Sequence, residues 1–155
     1  MDSLKRDLKR FIKGKTAIVG MGNALRADDS AGSLLVQRLR GKVKADLFDV
    51  GVSLENYTGP IARGKPHTVI LIDALHFSEK PGTVRLFRGM TLATLNVSTH
   101  ALSLEFFINF LKEKDIRNIA VLGIQPGSVD FHGAISRQVK KALSDLEVLL
   151  TNLCG

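Results

Sequence analysis

The chain has 155 residues, 45% of them hydrophobic and 24% charged, which suits one soluble domain with a substantial core. No apolar run approaches the roughly 18 residues that cross a bilayer, so no membrane insertion is expected, and no apolar leader follows the N-terminal charges. The one cysteine, Cys154, excludes an internal disulfide framework and a paired-cysteine zinc or redox motif, and a reducing cytoplasm is the expected compartment.

The net charge of +7 is unevenly spread. Residues 1–15 hold Lys5, Arg6, Lys9, Arg10, Lys13 and Lys15 against only Asp2 and Asp7. Leu4, Leu8, Phe11 and Ile12 recur there at helical spacing, so this segment reads as an amphipathic helix with a solvated basic face. Neither zinc-finger spacing nor an RNA-binding aromatic signature accompanies the charge, and no nucleic-acid partner is expected.

Residues 16–155 read as the α/β body of a single domain spanning 1–155. Thr16–Val19 is a short apolar strand ending at Gly20. Ser30 to about Arg40 has amphipathic helical spacing, and Gly41 can stop it. Ala45–Val50 reads as a second strand. Residues 54–66 are turn-rich, with Gly59, Pro60, Gly64 and Pro66, and have room for one helical turn. The stretch TVILIDAL (68–75) is the strongest strand, and its unbroken apolar run predicts burial on both faces, as in parallel sheets. KPGTVRLFRG (80–89) begins with a turn and alternates like an edge strand. STHALSLEFFINFLKEK (98–114) predicts a helix with Leu104, Phe107, Ile108 and Leu111 on one face. NIAVLGIQP (118–126) is another buried strand, and Ser136–Leu150 the last helix. Strands alternating with helices predict a mostly parallel twisted sheet flanked by helices on both faces. In such sheets reactive groups gather where strands end, here at Gly20–Asp29, Asp49–Gly51, Asp73 and Gln125-Pro126.

The stretch GMGNALRADDSAG (20–32) first suggests a nucleotide loop, with Asp49 as the ribose-binding acid. That reading fails because Leu25 stands where the third glycine belongs. Asp28 and Asp29 would also repel a pyrophosphate at the helix N-terminus. Gly14-Lys15-Thr16 ends like a phosphate-binding loop, but Lys9 replaces the first glycine and the triplet precedes a strand. A G-x-S-x-G elbow, an H-E-x-x-H helix and a well-placed cysteine nucleophile are all missing.

Acids and a histidine remain. Asp73 interrupts an apolar strand, where an ionised group is expensive without a partner, although a cap or a salt bridge accounts for it equally well. Asp29 is ordinary chemistry for a first helical turn. His100 opens a helix, where the dipole keeps its imidazole neutral. Taken together they offer two oxygen donors and one nitrogen donor, a set that suits a divalent cation with coordination positions left open. Asn23 is placed to stiffen the first loop through side-chain bonds to the backbone. His76 lies close to Asp73 in sequence, and His67 and His132 read as loop residues.

Four blocks, GMGNALRADDSAG, LIDA around Asp73, STHALSL around His100 and LGIQP (122–126), follow one another at compatible separations. In these the chain resembles the nickel–iron hydrogenase maturation endopeptidases, most closely those serving formate-linked or energy-converting hydrogenases. The resemblance covers nearly everything after about Thr16. It implies that Asp29, Asp73 and His100 are the metal-contacting and catalytic positions. The implied substrate is the nickel-loaded precursor of the hydrogenase large subunit, cut to remove a C-terminal peptide, with the nickel brought by the substrate. Another divalent ion can replace nickel in the isolated protein. Asn23 and the Asp49–Gly51 turn become candidate substrate contacts, Gln125 a weaker one. The family often has Asp-Gly-Gly where this chain has Asp49-Val50-Gly51, and a left-handed backbone at Val50 would be strained. The competing interpretations are a non-enzymatic nickel-binding assembly factor and a nucleotide-binding module.

Overall fold

A computed structural model describes residues 1–89 and 101–155. Within them, five strands form one sheet: β1 (Thr16–Met21), β2 (Asp46–Gly51), β3 (Thr68–Ala74), β4 (Val84–Arg88) and β5 (Asn118–Ile124). Their spatial order is β2-β1-β3-β5-β4, parallel throughout except for the antiparallel edge strand β4. The helices among the described residues are α1 (Asp2–Phe11), α2 (Ala31–Leu39), α3 (Thr58–Arg63), α4 (Ala101–Glu113) and α5 (Arg137–Cys154). Short 3-10 turns at Ala27–Ser30 and Leu54–Asn56 precede α2 and α3.

The unbroken apolar strands have the physical cause expected of them. Successive side chains leave a strand on opposite faces, and both faces of this sheet are covered. Ile18, Ile70, Ile72, Leu122 and Ile124 pack in a layer with α1, α2 and α5. Val19, Val69, Leu71 and Val121 pack in a second layer with Leu104, Phe107 and Leu111 of α4 and Ile61 of α3. β4, at the edge, is only partly covered: Val84 and Leu86 pack against the first layer and Phe87 is buried in the second, while Arg85 and Arg88 are exposed.

Most strand and helix ends fall within a residue or two of the sequence expectation, and the larger differences lie in the two terminal helices and the 54–66 region. The basic helix ends at Phe11 rather than continuing to Lys15, because Gly14 turns the chain at φ +61° and the Lys13 N–H donates to Thr68 Oγ1. Its apolar stripe of Leu4, Leu8 and Phe11 is buried as forecast. The last helix runs four residues past Leu150 and takes in Cys154, which is half-buried and whose carbonyl accepts from the Lys44 N–H at 2.7 Å. The turn-rich 54–66 region holds both a 3-10 turn and the six-residue α3.

Candidate active site at the carboxyl edge of the sheet

The glycines of the first loop serve packing. A Cβ added at Gly32 would lie 2.1 Å from Ile72 O and 2.3 Å from Met21 O, and one at Gly20 would lie 2.3 Å from Gly32 O. Only hydrogen at these positions lets the start of α2 rest directly on the ends of β1 and β3. That contact brings the 3-10 turn, with its two aspartates, against β3.

Asp29 sits half-buried in this turn. Its N–H donates to Arg26 O at 2.9 Å, and its carbonyl accepts from the Asn23 N–H at 3.1 Å. Asn23 stiffens the loop as expected, since its Oδ1 accepts from the Leu25 N–H at 3.0 Å. Asp73 is the penultimate residue of β3, fully buried, and shares a sheet face with Val69 and Leu71. The structure therefore brings Asp29 and Asp73 to one edge, through contact between the turn and β3. His100, the third expected member, lies outside the described residues. Among the described residues no three His, Cys, Asp or Glu side chains cluster tightly enough to hold a metal ion.

The other expected residues are placed as follows. Asp49 leaves β2 toward α2, where its Oδ2 accepts from Gln37 Nε2 at 2.9 Å. The register between β1 and β2 slips here, pairing Gly20 with Asp49 but Met21 with Gly51. Val50 is the extra residue and is buried beside Met21 and Leu54. The left-handed backbone falls on Gly51, at φ +56°, and not on Val50, so the departure from Asp-Gly-Gly carries no strain at Val50. Gly51 O accepts from the Gly22 N–H at 3.0 Å, tying this turn to the first loop.

Gln125 is buried, and its Oε1 accepts from the N–H groups of Phe77 at 2.8 Å and Glu79 at 3.4 Å. It thereby holds the chain that leaves β3 just after Asp73. His76, His67 and His132 are all exposed. His67 lies at the opposite, amino edge of the sheet, beside a cavity of about 500 Å³ ringed by Lys15, Lys65, Lys114 and Arg117.

Asp28 is the residue that sequence reasoning left without a role. It is fully buried, and its Oδ2 accepts from the N–H groups of Gly127 at 2.7 Å and Ser128 at 3.0 Å and from Ser136 Oγ at 2.8 Å. Its Oδ1 accepts from the Ser136 N–H at 2.7 Å. Burial resists ionisation, yet the bonds from Ser136, Ser128 and Gly127 outweigh it and hold this carboxyl below the ordinary carboxylate range. No local signal marks the role, because every partner lies about a hundred residues away in sequence. Two further bonds join the same segments: Arg26 Nε donates to Val129 O at 3.1 Å, and the His132 N–H donates to Leu25 O at 2.8 Å. The Arg26 guanidinium also lies 5.1 Å from the ring centre of the exposed Phe131.

Comparison with known proteins gives this arrangement its context. The family model described as "Hydrogenase maturation protease" matches residues 31–152. The chain is 31% identical over 126 residues to the hydrogenase 3 maturation protease of Escherichia coli strain K12, spanning 79% of this chain and 80% of that protein. It is 30% identical over 136 residues to a putative hydrogenase maturation protease of Methanocaldococcus jannaschii, covering 81% and 80% of the two chains. Among solved structures, the nickel–iron hydrogenase maturation protease HycI of Thermococcus kodakarensis KOD1 superposes with a TM-score of 0.83 at 33% identity, over 95% of this chain and 97% of that one. These likenesses decide against both the nucleotide module and the non-enzymatic factor. The chain belongs to the hydrogenase maturation protease family and is a peptide-bond hydrolase.

Proposed function

We propose that this endopeptidase removes the C-terminal peptide of a nickel-loaded hydrogenase large-subunit precursor in the cytoplasm, with Asp29, Asp73 and His100 engaging the nickel held by the substrate. The observation that supports the reading is the contact between the turn that holds Asp29 and β3, which holds buried Asp73 next to its carboxyl end. Two carboxylates brought near each other favour a cation, and an imidazole completes a donor set of the kind nickel accepts. Three protein donors leave positions for ligands that the substrate already supplies.

In this reading the metal is cargo that marks a precursor as ready. Bound there, it supplies Lewis-acid polarisation of an oxygen. In the same reading, a carboxylate of the pair not engaged with it accepts a proton from the water that attacks the scissile carbonyl. In this reading Asn23 and the Asp49–Gly51 turn, which is tied to the first loop through the Gly22 N–H and Gly51 O, meet the peptide. The test is cleavage of matched precursors with and without nickel. Wild-type protein should shorten only the loaded form, and Asp73→Asn or His100→Ala should leave it uncut. Equal cleavage of the nickel-free precursor would overturn the nickel reading, and full cleavage by both variants would overturn the site.

A further inference from the structure

We propose that Asp28 is a positioning residue, latching the 127–136 segment to the first loop and so fixing where Asp29 stands. The inference rests on the reading of Asp29 as a site residue. Among the described residues, the Asp29 carboxylate makes no hydrogen bond or ion pair. Its neighbour Asp28 is anchored by four hydrogen bonds to Gly127, Ser128 and Ser136. The Asp28 N–H also donates to Ser128 O at 2.9 Å, so backbone and side chain grip the same segment. The far end of the latch is firm, because Ser136 caps α5 through its hydroxyl, which accepts from the Val139 N–H.

The chemistry of the latch demands a carboxylate. Both oxygens face donors only, three at Oδ2 and one at Oδ1. An asparagine has the same shape, but in either orientation it must point its NH2 at an N–H or O–H donor. At least one bond is lost and replaced by a repulsive contact, in a buried place where water does not compensate. The first loop and the 127–136 segment, still joined by their backbone and Arg26 bonds, would then be held less tightly at the pair, and Ala27, held at φ +46° immediately before it, would be free to relax. The turn carrying Asp29 would lose its setting against β3.

The test compares Asp28→Asn, Ser136→Ala, Ser136→Thr and Asp29→Ala in full-length protein, measuring processing of the nickel-loaded precursor and amide hydrogen exchange. For Asp28→Asn, kcat/KM should fall roughly 10–100-fold, as for other residues that orient a ligand from behind. Part of the fall should be a raised KM, since a misplaced Asp29 engages the substrate less well, whereas loss of folded enzyme lowers only apparent kcat. The amides of Gly127, Ser128 and Ser136 should lose exchange protection in the same variant. Ser136→Ala should show a smaller fall, and Ser136→Thr, which keeps the hydroxyl, should recover it. These two decide the matter if Asp28→Asn does not fold. An unchanged KM, unchanged protection at the three amides, or a threonine no better than alanine would overturn the latch. Full processing by Asp29→Ala would instead overturn the reading of the site on which it rests.

Discussion

Adjacent aspartates in the first loop have opposite environments. Asp28 is turned into the protein and held by distant N–H and O–H groups, while Asp29 remains half-buried at the sheet edge. Composition and spacing treat them alike, as acids in a first helical turn. What separates them is the path of residues 127–136, which no local pattern specifies. Asp73 differs in that its burial was legible, because an acid set in an otherwise apolar strand is carried inward with its neighbours. Replacing it by asparagine keeps the volume and should reduce precursor turnover by about 100-fold or more, the scale of a lost proton-transfer or charge-stabilising group; a turnover assay at saturating precursor checks this. The thiol of Cys154 belongs to the same scale. Burial pushes its pKa up, so less thiolate is present at mildly alkaline pH. A maleimide should label it several times more slowly in native protein than in urea.

At the scale of elements, the first loop and α2 behave as one rigid unit pressed onto the strand ends. Gly32 is its tightest point, backed by carbonyl oxygens of β1 and β3. Gly32→Ala should destabilise the protein by about 1–3 kcal/mol or more, because backbone cannot move aside as a side chain can, and denaturant unfolding would measure it. Helix α1 is a different kind of element. Its basic face is solvated, and Leu8, fully buried, anchors its apolar stripe in the layer shared with α2 and α5. Leu8→Ala should cost about 2–5 kcal/mol while leaving precursor KM unchanged below the melting transition, since α1 lies along β4 and away from the acids.

For the whole molecule, one sheet serves both layers, with the same strands sending alternate side chains into each. Neither layer can lose its packing without exposing the back of the other. Equilibrium unfolding in urea should therefore be a single cooperative transition, with a fluorescent reporter placed beside α4 and another beside α5 giving coincident midpoints. No helix among the described residues is long and apolar enough to cross a membrane, in keeping with the absence of any long apolar run.

The strand and helix order, the burial of both sheet faces and the gathering of Asp29 and Asp73 at one edge were legible in the amino-acid order. The physical reason is that hydrophobic periodicity and turn residues act over short range, and parallel winding then sends the strand ends to one side. The role of the first loop's glycines, the escape of Val50 from strain through a slipped register, the tether Gln125 makes behind Asp73 and the Asp28 latch were decided by tertiary structure alone. Each depends on a carbonyl, an N–H or a neighbouring backbone supplied by a segment remote in the chain, and such partners leave no periodic trace.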